Sequence, residues 1–336
     1  MGEPSDNEMA DQPAVPRTIA AAFGQTPGPR GAREGWLLFL KGVCMGSADI
    51  VPGVSGGTIA LITGIYEQLL EAIQSINSRT VKALLTLDLK GFVGGVHLRF
   101  LLILLSGIGL ALVSLARLMH LLLEQQPVPT WAFFLGLIAA SLIIIGGHIR
   151  SWLGSGGVFF LLGTIGAFYL VAMIPVSTPE TAWFIFLSGA IAICAMILPG
   201  ISGSFLLLII GKYRFITGAL RDPLVGEHIV ILLIFMAGCV VGILSFSRFL
   251  NFMLHRYHNI TMSLLAGLVF GSMRKVWPWK EVLETVTVRG KMYVLRDQNI
   301  LPRQLDGQFW MSCALCAAGF FFVLALHYFA VRKEKG

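Results

Sequence analysis

Two short runs in this chain carry the residue types that hold an anion. The first is Val51-Pro52-Gly53-Val54-Ser55-Gly56-Gly57, followed by Thr58. The second is Leu198-Pro199-Gly200-Ile201-Ser202-Gly203-Ser204. In each, Pro-Gly interrupts a long apolar stretch, because Pro removes a backbone donor and crowds the preceding turn while Gly adds freedom. A helix that restarts after the Ser-Gly pair points its free N–H groups and the positive end of its dipole into the break. Glycines let the backbone approach a ligand, and Ser55, Thr58, Ser202 and Ser204 add hydroxyls. Gly53, Ser55, Gly56, Gly57 and Thr58, with Gly200, Ser202, Gly203 and Ser204, therefore form two candidate phosphate cradles. The competing reading is that Pro-Gly breaks only shape the fold, since membrane helices tolerate both residues. Two matched copies with matched hydroxyls favour a site.

Charged residues inside apolar segments are the next candidates. Arg117 and Arg248 occupy equivalent positions in the two halves. They suit a bidentate grip on phosphate, or else they snorkel from helix ends. Lys41 is placed to neutralise a headgroup. Asp49 stands three residues before Pro52, where the second copy has Met196. That asymmetry fits a proton- or sodium-coupling residue, or a partner for a nearby cation. Glu67, which aligns with Arg214, is an interfacial charge or a gate. The histidines His97, His148, His228, His255 and His258 fall at expected helix ends and read as interfacial, and His120 and His327 lie deeper without a metal-like partner. Cys313 and Cys316 form a C-x-x-C with no second pair, and all five cysteines read as small buried residues. No metal, cofactor or catalytic set is expected, and the absence of a Walker motif argues against ATP drive.

The elements that position these residues must be membrane helices. Of 336 residues, 56% are hydrophobic and only 13% charged, against about 25% charged in an ordinary soluble domain. Bilayer is the only solvent for that much apolar surface. The net charge of +7 sits mostly in short connections between apolar runs, so it reports topology, or contact with anionic headgroups, rather than nucleic acid. Full-length apolar segments are expected near Arg99–Leu123, Trp131–Ile149, Val158–Ile174, Ile229–Leu254, Ile260–Met273 and Gln308–Val331. Trp36–Ile73 and Ala182–Leu220 are too long for single helices and each should form two short helices meeting at an elbow.

The halves are related. The separation of 147 residues between Pro52 and Pro199 also pairs Phe39 with Phe186, Gly42 with Gly189, Ser55 with Ser202, Gly64 with Gly211 and Tyr66 with Tyr213. A separation of 131 residues pairs Gly107 with Gly238, Thr130 with Thr261, Gly136 with Gly267 and Ser141 with Ser272. The expected fold is all-α and polytopic, with a flexible cytoplasmic tail over 1–34, a repeat over 35–175 and a second over 176–336. A broken, re-entrant pair plus three spans per half makes the repeats inverted. The Lys and Arg distribution places both termini in the cytoplasm. The connection 274–307 disagrees, being basic yet external, and is long enough for a hairpin of Val286–Val288 and Met292–Leu295.

The run Gly46-Ser47-Ala48-Asp49-Ile50-Val51-Pro52-Gly53-Val54-Ser55-Gly56-Gly57-Thr58, with Gly64-Ile65-Tyr66-Glu67, resembles a bacterial and archaeal membrane family, the polyprenyl-phosphate translocases (PopT). The second run, with Gly211 and Tyr213, is similar to that family's second motif, and Ser204 and Phe205 depart from the first copy's Gly57 and Thr58. The resemblance covers Trp36 to the end. It implies an inner-membrane flippase that returns the lipid carrier undecaprenyl phosphate to the cytoplasmic leaflet during cell-envelope synthesis. A transporter of a small soluble anion would use the same cradles. A lipid phosphatase would need a nucleophile and an acid–base set that the sequence does not offer.

Overall fold

The computed structural model describes residues 18–50, 55–173, 176, 178–222, 225–288, 291–302 and 304–334. The first half contains α1 (Ile19–Gln25), α2 (Ala32–Ile50), α3 (Gly56–Ile62), α4 (Tyr66–Gln74), α5 (Ser78–Leu85), α6 (Leu89–Gly95), α7 (Leu98–Gln125), α8 (Pro127–Gly147) and α9 (Ser155–Leu170). The second contains α10 (Ala182–Ile197), α11 (Gly203–Ile209), α12 (Tyr213–Arg221), α13 (His228–Arg256), α14 (His258–Val276), the strands β1 (Lys280–Val288) and β2 (Lys291–Asn299), and α15 (Gly307–Glu334). Among the described residues, α7, α8, α13 and α15 are long and apolar enough to cross a bilayer, and α11 with α12 forms an apolar pair bent by 114° at its break. The shorter apolar helices α9 and α10 have 16 residues each.

The burial pattern is that of a protein whose surroundings are apolar. Leu102, Val113, Leu233 and Phe321 are more than half exposed, whereas Ser247, Ser263, Ser272 and Ser312 are fully buried. Each of those serine hydroxyls reaches a carbonyl one turn back in its own helix, which satisfies a polar group that lipid could not.

Small residues set the helix contacts, and the contacts repeat. A Cβ on Gly42 would strike the Leu104 carbonyl, and one on Gly189 would strike that of Phe235. Gly107 abuts the Phe39 carbonyl as Gly238 abuts that of Phe186. Thus α2 lies on α7 as α10 lies on α13, each pair running parallel. Gly136 meets the Cys316 carbonyl and Gly319 that of Phe133, while Gly267 meets the Phe160 carbonyl and Gly163 that of Leu264. Here the partners cross between halves, since α8 packs on α15 and α14 on α9. Close backbone approach of this kind supplies van der Waals contact where no hydrophobic driving force acts between helices.

Each broken stretch has three helical pieces rather than the two expected from sequence. The extra break falls at Gly64 (φ 72°) and Gly211 (φ 70°). At the first, Ile65 N–H bonds to the Ala60 carbonyl at 3.0 Å and Gly64 N–H to that of Leu61 at 3.3 Å. At the second, Lys212 N–H bonds to Leu207 at 2.8 Å and Gly211 N–H to Leu208 at 3.0 Å. Both are Schellman caps, which close a helix with a left-handed glycine. The path α2–α4 returns to where it began. Arg99, at the start of α7, donates to the Pro29 carbonyl at 3.4 Å, and the Ser75 hydroxyl just beyond α4 accepts from His97 N–H at 3.0 Å.

Within the described part of the expected tail, α1 is ordered against the start of α7. Arg99 donates to the Phe23 and Gly24 carbonyls at 3.1 Å each, and Ala22 is fully buried. The expected hairpin is present and longer than its sequence signal, pairing Lys280 with Asn299 through Val288 with Lys291. The indole of Trp277 donates to the Ile300 carbonyl at 2.8 Å and closes its base.

Candidate functional site

The two Pro-Gly breaks interlock. Ser55 caps α3, its Oγ accepting from Gly57 N–H at 3.1 Å. Asp49, on α2, accepts from Gly56 N–H through Oδ1 at 2.7 Å. Thr58 N–H and Ile59 N–H both bond to the Ser55 carbonyl, at 2.9 and 3.4 Å. All four donors that open α3 are therefore satisfied from within. The first cradle expected from sequence is already occupied by a carboxylate of the chain itself.

The side chains of the first break then serve the second. Ser55 Oγ lies 3.3 Å from the Met196 carbonyl and 3.4 Å from that of Leu198. Tyr66 OH donates to the Ile197 carbonyl at 3.0 Å. Thr58 Oγ1 accepts from Gly200 N–H at 2.9 Å. These carbonyls end α10, where Pro199 and the turn leave backbone groups without intrahelical partners. A Cβ on Gly57 would lie 2.5 Å from the Ile197 oxygen, so this approach requires glycine. Gly200 has φ 85°, and a Cβ there would sit 2.9 Å from Ser272 Oγ.

The second break is more open. Ser202 gives α11 no side-chain cap, and the first backbone bond entering that helix is Leu206 N–H to the Ser202 carbonyl at 3.1 Å. The Ser202 and Ser204 hydroxyls instead pair with each other at 2.8 Å, with Ser204 exposed and Ser202 half-buried. Gly203 packs against the Ala192 carbonyl. Polar hydroxyls and an uncapped first turn lie side by side here, in contrast to the α3 break.

Other candidates lie elsewhere. Lys41 donates to the Thr63 carbonyl at 2.7 Å, at the far end of α3 from its N-terminus, where a cation complements the dipole. Arg248 is exposed and donates to the Leu244 carbonyl of its own helix at 3.3 Å; it is not brought to either break. Gly53 and the Arg117 side chain lie outside the described residues. Glu67 lines a separate cavity with Tyr66, His148 and His258. Tyr66 is the partner sequence reasoning missed, although its pairing with Tyr213 marked it, and Thr58, expected in the first cradle, instead serves Gly200 of the second break. His148 and His258, expected to be interfacial, both face that cavity.

Apolar helices crossing a bilayer, with side chains of the first broken stretch locked onto the backbone of the second, define a multi-pass membrane protein. Its sequence matches the profile of the undecaprenyl phosphate translocase-like (VCA0040-like) family over residues 45–293. The chain belongs to that family. It is 41% identical over 301 residues to a polyprenyl-phosphate transporter of Vibrio cholerae serotype O1, covering 88% of this chain and 96% of that protein. It is 34% identical over 258 residues to a polyprenyl-phosphate transporter of Staphylococcus aureus, covering 72% and 86% respectively. No solved structure matches the chain.

Proposed function

We propose that this chain translocates the lipid carrier undecaprenyl phosphate across the cytoplasmic membrane, returning it for reuse in envelope synthesis. Its family and the transporter names of two relatives that align along most of its length support this reading. The observation that carries the mechanism is the asymmetry of the interlocked breaks. Asp49 fills the α3 cradle, whereas α11 opens with an uncapped turn beside two hydroxyls. The phosphate engages the α11 side, through Ser202, Gly203 and Ser204, and the prenyl tail stays in lipid. Drawing a bare phosphate through hydrocarbon without such donors is prohibitive. Asp49 is then the internal anion whose protonation or displacement loosens the interlock, which makes it the coupling residue, with Glu67 as a gate.

The repeats are inverted in this reading. Three longer helices follow each broken stretch, α7–α9 and α13–α15, and the duplicated glycine contacts support two copies of one unit, over 35–175 and 176–336, the second with its hairpin outside the membrane. Both termini then face the cytoplasm. Transport is a rocking motion about the shared breaks of helix groups that draw on both repeats, since α8 packs on α15 and α9 on α14, and it proceeds without covalent chemistry.

Reconstituted protein should move a labelled polyprenyl phosphate between liposome leaflets. Ser202→Ala with Ser204→Ala should lower the rate by about tenfold or more, each lost hydrogen bond to a charged group being worth about 1.5–3 kcal/mol. Asp49→Asn, which keeps an acceptor for Gly56 N–H, should leave folding intact while removing any dependence of the rate on a proton or sodium gradient. Wild-type protein that ignores the lipid and moves a soluble anion would replace the flippase reading with that of an anion transporter.

A further inference from the structure

A cavity of about 180 Å³ reaches the interlocked breaks from the end of the molecule where α8 stops and α14 starts. Tyr66 joins the two features, since its ring lines the cavity while its hydroxyl holds the Ile197 carbonyl. The walls are apolar apart from Glu67 on α4, His148 at the end of α8 and His258 at the start of α14. By liquid volume the space holds about six waters, enough for a phosphate group with solvent and too little for a prenyl tail.

The two imidazoles are set differently, and both have a nitrogen to offer. His148 Nδ1 lies 2.9 Å from the Ile144 carbonyl and so carries the proton, leaving Nε2 as the site of further protonation. His258 Nδ1 is buried with no hydrogen-bond partner among the described residues, a condition buried polar atoms rarely tolerate unless something visits them. The surrounding elements are more basic than acidic. Lys41 reaches the elbow turn at Thr63, Arg150 follows α8, and His255 and Arg256 end α13, against Glu67 and Glu71 on α4. A resident metal does not fit, because no group of three His, Cys, Asp or Glu among the described residues is close enough to hold one.

We propose that this cavity is a second station for a phosphate monoester, held by protonated His148 and His258 and expelled by Glu67 when the imidazoles lose their protons. The proposal rests on the lipid-phosphate reading for the source of that monoester. The protonation state of the cavity would decide whether a phosphate there stays or goes. Protonated imidazoles favour holding and neutral ones favour release.

The test is binding of a short-chain polyprenyl phosphate to the purified full chain at pH 6 and pH 8, with inorganic phosphate as competitor. The phosphate's own second ionisation near pH 6 affects wild type and variants alike, so the ratio of their affinities isolates the imidazoles. Wild type should bind at least about tenfold more tightly than the His148→Gln, His258→Gln double variant at pH 6, two charge pairs being lost, and nearly equally at pH 8. Glu67→Gln should bind more tightly than wild type at pH 8, a gain that misfolding would not produce. An affinity ratio that is the same at both pH values, or a Glu67→Gln protein that gains nothing, overturns the station while leaving lipid transport standing. Inorganic phosphate that competes as well as the lipid, in a protein that moves no lipid in liposomes, keeps the station and removes the lipid reading.

Discussion

Thr58, Tyr66 and Ser55 are hydroxyl residues of one motif spent on the backbone of the other. The Ile197 carbonyl and the N–H of Gly200 are bonded in buried surroundings, and an unsatisfied group there costs several kcal/mol. Thr58→Val keeps the shape and removes the acceptor for Gly200 N–H. It should lower unfolding stability by about 1–3 kcal/mol, while Thr58→Ser should recover most of the loss, both read by thermal unfolding in detergent. Equal stability of the valine variant would mean that the 2.9 Å bond contributes nothing. The sequence announced hydroxyls at these positions and a helix break beside them. It did not announce their partners, because those lie more than 130 residues away along the chain.

At the scale of elements, Gly64 and Gly211 decide that each broken stretch turns a second time. No atom lies within 4 Å of a Cβ built on Gly64, so replacing it tests backbone conformation without a clash. Gly64→Ala should cost about 1–2 kcal/mol, the price of a left-handed L-residue, and Gly64→Asn should cost less because Asn tolerates that region. Circular dichroism melts of the two variants separate the cases; alanine as stable as wild type would mean that α3 runs on into α4. Sequence periodicity placed the long helices α7, α8, α13 and α15 closely, because 20 or so apolar residues have few other fates. It missed the second break since a lone glycine in a membrane segment is ambiguous between a cap and a packing contact, and this chain uses glycine for both.

At the scale of the whole molecule, three longer helices follow each broken stretch, α7–α9 and α13–α15, and the proposed inverted arrangement puts successive connections on alternate faces. Leu87 and Leu153 should lie on one face and Leu301 on the other; all three are more than three-quarters exposed. Single cysteines at these positions, in a protein with its five native cysteines replaced, should react with an impermeant maleimide in two groups by side. Labelling of all three from the same side would sink the inverted arrangement. The crossing of partners, α8 with α15 and α9 with α14, has a consequence for motion: neither half can move as a block without carrying helices of the other.

The sequence by itself determined that the chain lives in a bilayer, that it carries two matched runs 147 residues apart, and that each run holds Pro-Gly before a Ser-Gly pair. Those properties follow from local chemistry, namely apolar run length, proline's missing donor and residue identity at fixed separation. The tertiary structure alone decided that the two candidate cradles are unlike. A cradle is defined by what stands opposite its N–H groups, and Asp49 stands opposite one while Met196, its counterpart in the second copy, offers no acceptor side chain. The substitution is visible in the sequence, but its meaning depends on α2 folding back against the start of α3, and that fold-back is fixed by helix packing rather than by any motif.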